Sequence, residues 1–158
     1  MKILITGSSG FIGFHLSKKL LDKGYRVHGY DSMNNYYDVR LKKARYNILK
    51  KYKNFSLTKN KLENKNSLEK VFKKFKPSIV IHLAAQAGVR YSIDKPRVCV
   101  DSDITGSYNI IEVSKKFNVK HLIMASSSSV YGANKKIPFK ETGKTETKLS
   151  IYADTKKS

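Results

Sequence analysis

Residues 1–13 limit the possible folds more than any other stretch of the chain. An apolar run, Lys2–Thr6, ends in Thr6-Gly7-Ser8-Ser9-Gly10-Phe11-Ile12-Gly13. Apolar residues then recur at 12, 16, 20 and 21. The run reads as a short buried strand, and the spacing that follows reads as a helix over Ile12–Lys23. The alternation continues. Tyr25–Tyr30 is a second strand, Val39–Tyr52 a basic helix and Phe55–Thr58 a weak third strand. Leu68–Phe75 is a short helix ended by Pro77, and Ser78–Ala84 is a continuous apolar fourth strand. Val98–Phe117 reads as one long helix, His121–Ala125 as a fifth strand, and Ser150 as the N-cap of a last helix running to Ser158. Residues 132–150 are the longest irregular stretch. This order predicts the α/β class: a doubly wound parallel sheet with helices on both faces.

Size and composition agree. The chain has 158 residues, 40% apolar and 28% charged, which predicts one globular domain over 1–158. Its longest apolar stretches, such as Ser78–Ala85, are too short to span a bilayer. Met1–Ile5 turns at Gly7 without a signal peptide's apolar run, so the cytoplasm is the expected compartment. The single cysteine, Cys99, is expected to pack against the sheet, and no Cys/His cluster has metal-ligand spacing. The net charge of +20 is unusual; 32 Lys+Arg face 12 Asp+Glu. Lysine doublets fall at 18–19, 42–43, 50–51, 73–74, 115–116, 135–136 and 156–157. Nucleic-acid binding is one reading, best placed at Arg45–Phe55, where Tyr46, Tyr52 and Phe55 interleave with basic residues. Solvated helix faces are the simpler reading, because arginine would dominate a base-reading surface and only five of the cations are Arg.

The glycine turn has a chemical use. Gly7 permits the bend, Gly10 lets backbone approach a pyrophosphate, and Gly13 lets helix pack on strand. The helix N-terminus offers free N–H groups to phosphate. Asp31 ends the second strand, where its carboxylate can accept both hydroxyls of an adenosine ribose and repel a 2′-phosphate. Turn and carboxylate together point to NAD rather than NADP. The alternatives are a ligand-free turn and a turn Asp before Ser32-Met33-Asn34-Asn35.

Several segments resemble the NAD-dependent epimerase/dehydratase family, the Rossmann-like extended short-chain dehydrogenase/reductases. They are Thr6–Gly13, His82–Arg90, Ser126–Gly132 and Tyr152–Lys156. Asn34-Asn35-Tyr36-Tyr37-Asp38-Val39, with Leu41-Lys42 and Ala44-Arg45 behind it, looks like the UDP-glucuronate 4-epimerases of that family, as does Ala87–Ser92. The resemblance implies a nucleotide-sugar epimerase in which NAD takes a hydride from C4 of a UDP-sugar and returns it to the other face. UDP-glucuronate to UDP-galacturonate is the conversion it suggests, which would make the chain part of an isomerase of polysaccharide biosynthesis. It implies NAD contacts at Gly7, Gly10, Phe11, Ile12, Gly13, Asp31, Leu62, Ala84, Ala85, Tyr152 and Lys156. Tyr152 would be the base, and Lys156, one helical turn on, would favour its phenolate and hold the nicotinamide ribose. The family register gives Ser127 the sugar oxygen, with Ser126 and Ser128 as competitors. Arg90, Ser127 and Ser128 would meet the substrate, Arg90 through a carboxylate or phosphate. A surface role for Arg90 stands equally open, and His82 is expected to be a satisfied core or edge histidine.

Tyr-x-x-x-Lys alone selects little. Tyr46/Lys50, Tyr91/Lys95, Tyr131/Lys135 and Tyr152/Lys156 all fit, against about two expected by chance. Position singles out the last, because it follows the serine-rich fifth strand by a loop. Ser128-Ser129 stands where the 4,6-dehydratases carry Asp-Glu, which disfavours water elimination. Three residues depart from the family: Lys61 where an Asp accepts from adenine, Asp103 for Asn, and Asp154 for a small residue. Family members run on for about as many residues again, adding strands and a substrate domain. A full-length form is expected to be a homodimer through the helices near Val98 and Tyr152. The alternative is an NAD-binding module without catalysis.

Overall fold

A computed structural model describes residues 1–134, 137–145 and 149–158. Five strands form one parallel sheet in the order β3-β2-β1-β4-β5. They are β1 (Lys2–Thr6), β2 (Arg26–Asp31), β3 (Phe55–Lys59), β4 (Ile79–His82) and β5 (His121–Met124). The first helices are α1 (Phe11–Asp22), α2 (Val39–Leu49) and α3 (Lys65–Phe75). The doubly wound parallel sheet expected from the sequence is therefore present.

The two-residue period of the strands assigns the helices to faces. Leu4, Tyr30 and Val80 point to one side, where they meet Leu68, Val71 and Phe72 of α3 and Ile110 and Val113. Ile3, Ile5 and Val27 point to the other, against Phe14 and Leu21 of α1 and Leu49 of α2. Because β1 is covered on both faces, it reads as unbroken apolar sequence. Side-chain caps fix the helix starts: Asp38 accepts from Arg40 N, and Asn64 from Ser67 N. Lys76 ends α3 in a left-handed turn at φ 53, just before Pro77.

The expected long helix over Val98–Phe117 is interrupted. It consists of α5 (Pro96–Cys99), a π segment (Val100–Thr105) and α6 (Gly106–Lys116). Polar bonding explains the break. The π segment turns Asp103 inward, where its carboxylate accepts from the Gln86 N–H at 2.6 Å. Gly106 then lies against Leu62, where a Cβ would come within 2.7 Å of the Leu62 Cβ. A short helix, α4 (Val89–Asp94), precedes Pro96 and was not expected; six residues are too few to show a helical period. A 3₁₀ turn (Ser128–Tyr131) follows β5, and α7 (Ile151–Lys157) closes the described chain with Ser150 as its cap. Cys99 is fully buried but belongs to neither cluster on the sheet.

Candidate active site

Strand order reverses between β1 and β4, so the loops leaving their C-terminal ends part and open a crevice, the usual ligand position in such sheets. A cavity of about 780 Å³ lies there. Gly7, Gly10, Phe11, Ile12, Gly13, Asp31, Leu62, Ala84 and Ala85 all line it. The nine residues that the resemblance assigns to NAD are thus brought together around one cavity.

Thr6 builds the floor. Its hydroxyl oxygen accepts from the N–H groups of Leu83 and Ala84, each at 3.1 Å. Its proton is then free for His82 Nδ1 at 2.7 Å, which leaves Nε2–H to donate to Ser107 Oγ at 2.9 Å. Burial holds the His82 imidazole down to about 4, so it is neutral at physiological pH and acts as the expected core histidine. Gly7 sits at φ +70, and a Cβ there would stand 2.9 Å from Ala84 N. No side chain caps α1, whose first turn opens on the cavity with Phe11 and Ile12 exposed. Its unpaired N–H groups suit a pyrophosphate.

Asp31 is buried, and its two carboxylate oxygens accept from Ser9 N at 2.9 Å and Met33 N at 2.8 Å. Each oxygen keeps a lone pair for a ribose hydroxyl. Two cations beside it escaped the sequence reading of the site. Lys42 is buried and donates to the Asn34 backbone oxygen at 3.0 Å and side-chain oxygen at 2.6 Å. Burial lowers its pKa, and Asp31 opposes that shift. Arg45 donates to Tyr37 Oη at 3.0 Å and Ser9 O at 3.3 Å. Their spacing of three on one helix, adjoining the Asp31 loop, was the available signal. At the far end Lys61 and Leu62 line the cavity, but their carbonyls already accept from Tyr30 Oη and Asn109 Nδ2.

The residues expected to do chemistry stand at the rim. Tyr152, Lys156, Ser127, Ser128 and Arg90 do not line the cavity. Ser127 Oγ accepts from Ser129 N at 3.2 Å and caps the 3₁₀ turn, which packs against α7. Arg90 is exposed on α4. Lys156 Nζ donates to Ala125 O at 3.3 Å, and Ala125 does line the cavity. Burial lowers the Lys156 pKa, and Asp103 acts against this. Asp103 is buried, and burial raises its pKa. Its second oxygen accepts from Thr155 Oγ1 at 3.2 Å, so it ties α7 to the loop after β4. Ser92 ties the same helix to α4 by accepting from Tyr152 N at 3.3 Å. No hydrogen bond among the described residues joins the Tyr152 hydroxyl to Ser127 or Lys156. Lys135, partner of Tyr131 in the third spaced pair, and the 135–136 doublet lie outside the described residues.

Packing takes up two of the three aromatic residues of the nucleic-acid candidate. Tyr52 and Phe55 lie against the core, and Tyr52 Oη donates to Asp22 at 2.6 Å. Arg45 faces the cavity. Nucleobases need free aromatic faces, and of the three aromatics only Tyr46, half-buried with Lys50 Nζ 5.8 Å from its ring centroid, lies outside the core packing.

Comparison with known proteins agrees with this geometry. Residues 4–158 match the family model described as GDP-mannose 4,6 dehydratase. The whole chain is 55% identical to Protein CapI of Staphylococcus aureus, covering 47% of it. It is 48% identical to a probable UDP-glucuronate 4-epimerase of Rhizobium meliloti, covering 46%. A crystal structure of the Bacillus cereus UDP-glucuronic acid 4-epimerase with UDP-glucuronic acid and NAD superposes with a TM-score of 0.88. Identity there is 33%, over 99% of this chain and 49% of that one. The chain spans about half the length of the curated relatives it matches.

Proposed function

We infer, because the chain belongs to the GDP-mannose 4,6 dehydratase family, that it is the NAD-binding, base-bearing half of a UDP-sugar 4-epimerase. UDP-glucuronate, interconverted with UDP-galacturonate, is the substrate we assign. One observation carries the reading: Lys156 on α7 donates to Ala125 O, and Ala125 lines the same cavity as Asp31 and the glycine turn. The helix that carries Tyr152 and Lys156 therefore touches a residue of the crevice wall.

Bound NAD would supply the hydride acceptor and later the donor. The residues do the rest. First-turn N–H groups at Phe11 and Ile12 would hold the pyrophosphate, with Gly10 leaving room for its approach, while Gly7 and Gly13 let the turn and α1 close on neighbouring backbone. Asp31 accepts the adenosine ribose hydroxyls and disfavours NADP. Leu62, at the far end of the cavity, would meet the adenine, and Ala84 and Ala85 would border the central part. Tyr152 removes the proton of the sugar's 4-hydroxyl, helped by the Lys156 charge. Ser127 holds the sugar oxygen; Ser128 and Arg90 approach the remainder of the substrate. Ser128-Ser129 offers no acid for water elimination, which favours epimerisation over dehydration. The exposed apolar residues Val98, Val100, Ile104, Tyr108 and Ile111 support pairing of two copies in a full-length form. No helix among the described residues is long and apolar enough to cross a membrane.

A second reading, NAD binding without catalysis, is favoured by one fact: Tyr152 makes no described hydrogen bond through its hydroxyl to Ser127 or Lys156. Calorimetry with NAD, followed by proton NMR of added UDP-glucuronate, separates the outcomes. NAD binding that Asp31→Ala weakens at least tenfold, with UDP-galacturonate appearing, supports the epimerase. Binding without product supports the module. No NAD binding refutes both.

A further inference from the structure

Two loops meet above the cavity. Asn34–Tyr37 leaves the end of β2, and Gln86–Tyr91 leaves the end of β4; the glycine turn of β1 lies between and below them. Tyr36 and Tyr91 pack edge to face with ring centroids 4.8 Å apart, and both line the cavity. Asn34 Nδ2 donates to Gln86 Oε1 at 3.4 Å. The Tyr36 hydroxyl occupies the space that a side chain at Gly88 would fill, and Gly88 itself sits at φ +114. The base of the first loop is anchored by α2. Lys42 holds both oxygens of Asn34 and lies 4.7 Å from the Tyr37 ring centroid, while Arg45 donates to Tyr37 Oη.

These features explain one another. A buried lysine costs stability unless its donors are satisfied, and here they are used on a loop backbone. A positive-φ glycine without a Cβ is needed where another side chain arrives. We propose that Asn34–Tyr37 is a strap fastened by Tyr36 on Tyr91 and Gly88, which a dinucleotide in the cavity must open before it can leave. The proposal rests on the reading of the cavity as an NAD site and deepens it: a strap of this kind keeps the cofactor on the protein between turnovers. Such retention suits a reaction that ends with the cofactor in its starting redox state. No bond is made or broken, so the strap acts on exchange rate alone.

The test measures NAD release from the loaded chain after rapid desalting. Tyr36→Ala and Tyr91→Ala are each expected to speed release about tenfold, the scale of a lost aromatic pair and the area it covers. The double variant is expected to release no faster than either single one, because both remove the same contact. Tyr36→Phe keeps the ring and is expected at the wild-type rate. Without NAD, hydrogen exchange of residues 33–38 is expected to quicken in Tyr91→Ala, although that change lies in the other loop. Release at the wild-type rate in both alanine variants overturns the strap and leaves the NAD site standing. Effects that multiply in the double variant overturn it as well, since they assign two separate contacts with NAD. A wild-type chain that binds no NAD overturns site and strap together.

Discussion

Replacing Gly13 by alanine tests the packing of turn against helix most directly. A Cβ at Gly13 would overlap the Gly7 carbonyl oxygen and stand 2.8 Å from the Gly7 carbonyl carbon and 2.9 Å from Ser8 Cα. All three are backbone atoms. The turn holding them is fixed by Gly7 N donating to Tyr30 O at 2.8 Å and Gly10 N to Gly7 O at 3.0 Å. No rotamer change relieves the clash, so α1 must retreat. Retreat pulls Phe14 and Leu21 from Ile3, Ile5 and Val27. Overpacking of this kind costs about 1–3 kcal/mol, and lost contacts add to it. Alanine's better helix propensity returns about 1 kcal/mol. The expected net loss is about 2 kcal/mol, or roughly 4–8 °C in Tm for a chain of this size. Urea unfolding followed by circular dichroism measures it, with Gly24→Ala as control. Gly24 differs from Gly13 in having a positive φ, +80, and no atom lies within 4 Å of its added Cβ. That control should lose only about 1–2 kcal/mol of left-handed backbone preference and leave NAD affinity intact. Gly13→Ala should abolish NAD binding as well. Equal or greater stability than wild type, with binding retained, would refute the close approach of Gly13 to Gly7.

Two further predictions concern protons. Burial holds His28 and His82 down to about 4, from an ordinary 6.5. The folded state then binds fewer protons than the unfolded between those values, so this stability is whole above about pH 6.5 and lost as pH falls towards 4. Urea midpoints should show a loss of about 2–4 kcal/mol between pH 7.5 and pH 5, and an unchanged stability would count against two buried neutral imidazoles. Asp103 carries the opposite sign. Its folded pKa lies above the ordinary 3.8, so the contribution is present below that value and is lost as pH rises through the folded one. Asp103→Asn removes this pH-dependent loss, so its stability relative to the wild type should be greater at pH 7 than at pH 4; a relative stability lower at pH 7 would show that the charge is needed by Lys156.

Strands were the most legible part of the sequence. Ile3-Leu4-Ile5 and Ile79-Val80-Ile81 are apolar on successive positions because helices cover both faces, and their short length with Gly7 and Pro77 beside them separates them from buried helix segments. Three glycines and Asp31 located the crevice because each solves a local backbone or charge problem. The π segment was not legible. Its cause is Gln86, seventeen residues before Asp103, and no local period reports a bond over that distance. Lys42 was read as one of a doublet and as part of the segment that resembles the epimerases, but not as a buried group, although its neighbour Lys43 is exposed and Lys42 is not. Composition cannot separate the two; the oxygens of Asn34 do. Tyr36 and Tyr91 fall 55 residues apart in sequence, and only the parallel order β2-β1-β4 brings their loops together.

Gln86 joins the two halves of the candidate site. Its backbone N–H donates to Asp103, whose other oxygen accepts from Thr155, the residue before Lys156. Its side chain accepts from Asn34, within the segment that Lys42 anchors. The residue itself is buried. Moving the loop after β4 therefore displaces the α7 anchor and the contact with Asn34 together, because both attach to one residue with no room to rotate. Arrangements of this kind shift as units rather than by small independent adjustments. The departure from the family at position 103 thus lies on the physical link between the crevice and the helix that carries Tyr152 and Lys156. A carboxylate there keeps both bonds of that link, since each of its oxygens accepts one of them.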